Sequence, residues 1–239
     1  MYKKYILLNQ LLLFRKLMEE VQNENENNYK FGKDIKIIIV GNLSTGKTSI
    51  INRYMNDNFE EHCRATIAPE FSFKIIKING INFRLQFWDL PGQERVPLVT
   101  SLFCKDSNAV VFCCEVKNDK SRKDIIKWVK TLSDNIDLEN VPKILVENKC
   151  DLLGDEEKYN EGIEELKEFS NNNNFSGCFR TSALNGYNIE NAIKFLVNEI
   201  INSLDEEDIN SYREGNSSII NLNNKTTKSS FISDSKRCC

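Results

Sequence analysis

Hydrophobic and polar positions follow two rhythms along this chain, and the rhythm changes from segment to segment. Residues 35–40 form a β-branched run of strand length. A glycine-bearing turn follows, then a helix-like stretch through Tyr54. Residues 71–78 and 81–88 alternate apolar with polar around Asn79-Gly80, a strong hairpin signal. Residues 109–115 are almost continuously apolar, as in a strand covered on both faces. Helical spacing marks residues 121–133 through Ile125, Ile126, Val129 and Leu132. Residues 143–147 read as another buried strand, 161–169 as a helix and 178–181 as a short strand. Residues 189–204 form a last helix with Ile193, Phe195, Leu196, Ile200 and Ile201 on its apolar face.

Strands alternating with helices predict an α/β fold with a six-stranded, mostly parallel sheet and helices on both faces. The hairpin contributes one antiparallel strand. Ligands in such a fold bind beyond the carboxyl ends of the strands. The pattern divides the chain into an N-terminal extension (1–32), a globular domain (33–204) and a polar tail (205–239) that reads as disordered.

Residues 6–14 of the extension are apolar, with Lys3 and Lys4 before them. The run is too short to span a bilayer, and Asn9 and Gln10 interrupt it. Three readings stay open there: a short amphipathic helix, a start codon placed too early, or a weak targeting signal.

Net charge is −3, which gives no footing for a nucleic-acid binder driven by phosphate contacts. Eight cysteines and one histidine, with no C-x-x-C spacing, argue against a zinc site. Most of the thiols are expected to be buried and reduced. The adjacent pair Cys238-Cys239 is the exception.

Residues 41–48 read Gly-Asn-Leu-Ser-Thr-Gly-Lys-Thr and fit G-x-x-x-x-G-K-[ST], after a strand and opening a helix. In that context Gly41 and Gly46 let the backbone wrap phosphates, with Leu43, Ser44 and Thr45 supplying N–H groups. The helix N-terminus adds positive potential. Lys47 reaches the β- and γ-phosphates, Thr48 binds Mg²⁺ and Ser49 follows it. Alone, the motif means only a nucleoside triphosphate.

Asn148, Lys149 and Asp151 lie directly after a strand, about 100 residues further on. A carboxylate at Asp151 can accept two N–H bonds from the guanine edge. Adenine lacks those donors, so such a site rejects it by about 10⁴-fold or more. Ser182, Ala183 and Leu184 follow the next strand, where a backbone N–H near Ala183 could meet the guanine carbonyl. Residues 88–95 follow the second hairpin strand: Asp89 suits Mg²⁺, the Gly92 N–H suits the γ-phosphate, and Gln93 suits orientation of an attacking water.

Together these segments resemble the motif set of Ras-like small GTPases over residues 33–203. The resemblance implies the P-loop NTPase fold. It also implies an aromatic stacked on guanine at Phe59 and a threonine at Thr66 that binds Mg²⁺ and the γ-phosphate. Within that family the chain is most similar to Rab proteins, and to the branch of lysosome-related organelles. Phe71, Trp88 and Phe103 then fall at an exposed aromatic triad read by effectors. Cys238 and Cys239 resemble a doubly geranylgeranylated pair, which implies membrane attachment and a GDP-state chaperone that hides the lipid. An exchange factor and a GTPase-activating protein are implied as well. The chain departs from the family pattern at Leu43, Ala68-Pro69, Pro91, Val96-Pro97, Phe103-Cys104 and Leu184. The expected function is a Mg²⁺-dependent GTP/GDP switch in vesicle trafficking, on the cytoplasmic face of organelle membranes with a cytosolic pool. The alternative is a GTP-binding module with negligible hydrolysis.

Overall fold

The computed structural model describes residues 34–67, 69–78, 80–92 and 103–204. Six strands form one sheet in the order β2-β3-β1-β4-β5-β6. They are β1 (Asp34–Val40), β2 (Glu70–Ile78), β3 (Ile81–Asp89), β4 (Ala109–Glu115), β5 (Lys143–Asn148) and β6 (Gly177–Arg180). Only β2 runs antiparallel to its neighbour, pairing with β3 from Glu70↔Asp89 to Ile78↔Ile81. Gly80, at φ +82°, supplies the left-handed residue of the hairpin turn.

β1 shows why the central strands are apolar on both sides. Ile37 and Ile39 pack with helix α1 (Lys47–Asn56) and the last helix, α5 (Ile189–Asn202), on one face of the sheet. Ile38 and Val40 pack on the other face with helix α3 (Ile125–Ser133), α4 (Ile163–Asn172) and the aromatic rings of Trp88 and Phe112. Ile37, Ile38 and Ile39 are fully buried. Each such side chain stabilises the fold by about 1.5–3 kcal/mol through area removed from water.

The helix expected over 121–133 is divided. A short helix α2 (Asp119–Lys123) precedes α3, with Asp124 at the junction. The cause is tertiary: the Asp124 carboxylate accepts from Asn42 Nδ2 at 2.8 Å and pairs with Lys127 Nζ at 2.6 Å. The helix expected at 161–169 starts at Ile163, because Gly162 before it lies at φ +69°. The last helix ends at Asn202, two residues early. The N-terminal extension (1–32) and the polar tail (205–239) lie outside the described residues.

Candidate functional site

The parallel strands point their carboxyl ends at one edge, and the loops that leave them line a cleft of about 830 Å³. That volume suits a nucleotide-sized ligand. Leu43, Ser44, Gly46, Lys47, Thr48, Ser49, Phe59, Thr66, Gly92, Asn148, Lys149, Asp151, Ala183 and Leu184 all line it. Gly41, Thr45, Asp89 and Ser182 do not; all four are buried. Gln93, Cys238 and Cys239 lie outside the described residues.

The loop between β1 and α1 is held by contacts that only glycine permits. Gly41 has φ +149°, and a Cβ there would stand 2.0 Å from the Cys113 carbonyl oxygen on β4. Gly46 has φ +90°, and its Cβ would stand 2.2 Å from Asn148 Nδ2. Lys47 is buried and donates to the Gly41 and Asn42 carbonyls, each at 3.0 Å. Burial lowers its pKa, against the opposing pull of Cys113 and Asp89. The ammonium is thus folded back over a loop that opens a helix, where anions are favoured.

At the same end, three side chains bring their oxygens together. Thr48 Oγ1 donates to Asp89 Oδ2 and lies 2.9 Å from Thr66 Oγ1. Thr66 Oγ1 reaches the same carboxylate oxygen at 3.3 Å. Asp89 is buried, and among the described residues its other oxygen, Oδ1, has no hydrogen-bond partner. Burial raises the Asp89 pKa, while bonds from Thr48 and Thr66 and the Lys47 charge oppose it. An orphaned buried carboxylate oxygen beside two hydroxyls fits a hard cation that takes oxygen ligands, such as Mg²⁺.

The far end of the cleft is built from β5 and β6. Asn148 donates to the Thr45 carbonyl at 3.0 Å, which ties the two ends together. Lys149 takes φ +64° and pairs with Glu115 Oε1 at 2.9 Å. Ser182, fully buried, donates to Asp151 Oδ1 and so orients that carboxylate. The Ala183 N–H donates to Asn148 Oδ1 at 3.2 Å, beside Thr181 Oγ1 at 3.1 Å, because that buried amide oxygen needs donors. Phe59 is half-buried, packed on the core edge while lining the cleft.

The aromatic triad is not exposed as expected. Trp88 and Phe103 are buried and Phe71 is half-buried. Their rings pack in sequence, Phe71 to Trp88 at 5.3 Å and Trp88 to Phe103 at 5.6 Å, so apolar burial holds them. Among the described thiols, Cys104, Cys113, Cys114 and Cys150 are buried as expected, while Cys63 is exposed at the cleft.

Sequence reasoning missed several positioning residues. Asn42 accepts from Trp128 Nε1 at 3.0 Å and donates to Asp124, which clamps the phosphate loop onto α3. Glu60, Glu61, Cys63, Arg64 and Ala65 also line the cleft. Their placement between Phe59 and Thr66 was the only signal available.

A phosphate loop facing a base-reading loop across one cleft defines a nucleoside-triphosphate switch of the guanine type. A sequence model of the Ras family matches residues 36–202. Human Ras-related protein Rab-32 is 34% identical over 170 residues, covering 70% of this chain and 74% of that protein. Rat Ras-related protein Rab-7L1 is 32% identical over 194 residues, covering 80% of this chain and 92% of that protein. Rab-32A of Dictyostelium discoideum is 33% identical over 184 residues, covering 75% and 81%. The chain belongs to the Ras family, as a Rab-like small GTPase on the branch of Rab-32 and Rab-7L1. It is a GTP-hydrolysing switch of vesicle trafficking. Members of the family bind GTP or GDP with Mg²⁺, act with exchange factors, activating proteins and effectors, and work at intracellular organelle membranes. No helix among the described residues is long and apolar enough to cross a membrane.

Proposed function

We propose that the cleft itself is the guanine-nucleotide site, with the phosphates on the 41–48 loop and the base against Asn148, Asp151 and the 182–184 loop. One observation carries this reading: the cluster of Thr48, Thr66 and Asp89 lies at the phosphate end of a cleft whose other end is Asp151. Thr48, Thr66 and Asp89 would hold Mg²⁺, which when bound would supply neutralisation of phosphate charge. Lys47 turns its ammonium from the loop carbonyls to the phosphate oxygens. Phe59 stacks on the base, and Lys149 lines the same end of the cleft.

Gln93 orients the attacking water, and the Gly92 N–H holds the γ-phosphate. Water adds to the γ-phosphorus as the bond to the β-γ bridging oxygen breaks, releasing phosphate and GDP. Thr66 and Gly92 contact only the triphosphate form, so phosphate loss releases both segments. While the triphosphate holds both segments, effectors read the surface around Phe71, with Trp88 and Phe103 packed beside it. The globular domain spans 33–204, flanked by the extension and the tail. Cys238 and Cys239 carry geranylgeranyl groups, and two lipids anchor stably where one does not. A chaperone shields them in the GDP state, giving a soluble pool beside the cytoplasmic face of organelle membranes. Changing both cysteines to Ser leaves nucleotide binding intact and moves the protein to the cytosol; retained membrane attachment removes the lipid assignment.

Base choice tests the site. Asp151→Asn weakens GTP and favours xanthine nucleotides, whose extra carbonyl accepts the amide donor. Unchanged GTP preference in that variant overturns the assignment of the cleft.

A further inference from the structure

Arg53 lies on α1, six residues after Lys47, yet its guanidinium spends its donors on a loop 130 residues away. Nε donates to the Ala183 carbonyl at 2.9 Å, and Nη2 donates to the Leu184 carbonyl at 2.6 Å. Nη1 is pinned by Asp57, through its carbonyl at 2.9 Å and its carboxylate at 2.8 Å. Asp57 is itself the cap of α1, at φ 51°, with its N–H on the Arg53 carbonyl at 3.0 Å. The side chain is only 16% exposed. Nε and Nη2 form a rigid planar fork on two successive carbonyls, a geometry that a lysine ammonium cannot reproduce.

We propose that Arg53 is a positioning residue for base recognition, and that it turns the Leu184 N–H toward the 6-oxo group of guanine. This rests on the reading of the cleft as the guanine site. The peptide unit is planar and trans, so its C=O and N–H point opposite ways. Fixing the Ala183 carbonyl on the Arg53 side therefore directs the Leu184 N–H away from Arg53. Leu184 lines the cleft, and among the described residues no acceptor is paired with its N–H. The Ala183 N–H is already engaged by Asn148. The donor for the 6-position thus comes from the peptide that Arg53 holds, and the helix behind the phosphate loop sets the geometry of the base loop.

The test compares GDP with 6-thio-GDP on the full chain. The thio analogue keeps the N1–H and amino groups that face Asp151 and alters only the 6-position acceptor. In the parent protein 6-thio-GDP binds about tenfold more weakly than GDP, the usual worth of one good hydrogen bond. In Arg53→Lys and Arg53→Gln, GDP affinity falls and the ratio between the two nucleotides drops to within about threefold. General loosening of the domain would weaken both nucleotides alike and keep the ratio, and a kept ratio overturns the proposal. Thermal unfolding of both variants reports that they are folded, and Arg53→Lys, the milder change, decides the matter if Arg53→Gln does not fold. Equal binding of GDP and 6-thio-GDP by the parent protein refutes 6-position reading and the proposal with it. Failure of the parent to prefer GDP over ADP is a different result, and it removes the guanine site itself.

Discussion

Gly92 lies against the backbone of Leu43: a Cβ at residue 92 would stand 2.5 Å from the Leu43 amide nitrogen and 2.7 Å from its Cα. Both neighbours are backbone atoms, so no rotamer change relieves the contact. The segment leaving β3 is thereby seated on the phosphate loop, three residues after Asp89. Its seat depends on the absence of a single carbon.

Gly92→Ala should unseat that segment from Asn42 and Leu43 while leaving Lys47, Thr48 and the Asn148–Asp151 end of the cleft in place. Single-turnover GTP hydrolysis is expected to fall at least about tenfold, the value of one charge-assisted hydrogen bond to the γ-phosphate. GDP dissociation should stay within about threefold of the parent. A normal hydrolysis rate in this variant would mean that the Gly92 contact plays no part in the reaction.

Leu43 is the partner in that contact, and it is 47% exposed at the cleft. On the proposed reading of the cleft, a branched apolar group there crowds the space where water and the γ-phosphate would meet. Leu43→Gly should raise intrinsic hydrolysis by up to about tenfold, since small misplacements of reacting groups have large effects on rate. Residue 43 is not among the left-handed positions, so glycine brings backbone freedom but no relief of strain. An unchanged single-turnover rate would remove the steric argument for slow hydrolysis.

Asn148 joins the two halves of the cleft, and it is 1% exposed. Its amide serves the Thr45 carbonyl, the Thr181 hydroxyl and the Ala183 N–H. Asn148→Ala leaves all three without that partner. Each unsatisfied buried group costs roughly 1–3 kcal/mol, less when relaxation or water helps. Urea unfolding in fixed excess GDP should show a loss of about 2–4 kcal/mol, with faster GDP release. A loss below about 0.5 kcal/mol, the level of an ordinary surface change, would contradict the network.

The sequence made the chemistry legible where it depends on local spacing. The 41–48 motif and Asn148–Asp151 each sit beside a strand whose apolar run is unmistakable, so both the elements and their loops could be read. What stayed hidden depends on distant partners. The division of the helix at Asp124 comes from Asn42, 82 residues earlier. The fork of Arg53 on Ala183 and Leu184 has no local signal, because an exposed-looking arginine late in a helix is ordinary. The family resemblance implies exposure for Trp88 and Phe103, and both are buried. Their burial follows from mutual ring packing that linear pattern does not encode.

Thiol reactivity and alkaline stability follow from burial. Cys113 is pushed up to about 11, and Cys104 and Cys150 to about 12, in each case chiefly by desolvation. Tyr54 is likewise raised to about 12 by burial, with Glu190 adding to it. The folded state keeps these protons at pH values where the unfolded chain releases them. Their contribution is therefore fully present below about pH 9 and is lost as pH rises through 11 and 12. Unfolding midpoints in urea should hold steady from pH 7 to about 8.5 and then decline steadily toward pH 11. At pH 8 the thiolate fraction of Cys113 is about 100-fold below that of an ordinary thiol, and access is closed as well. Cys63 is exposed, so in a variant with Cys238 and Cys239 replaced by Ser it should take up maleimide first. Bound GDP should slow that reaction, because Cys63 lines the same cleft. Peptide mapping that found Cys113 or Cys104 modified before Cys63 in the native protein would contradict the burial on which both expectations stand.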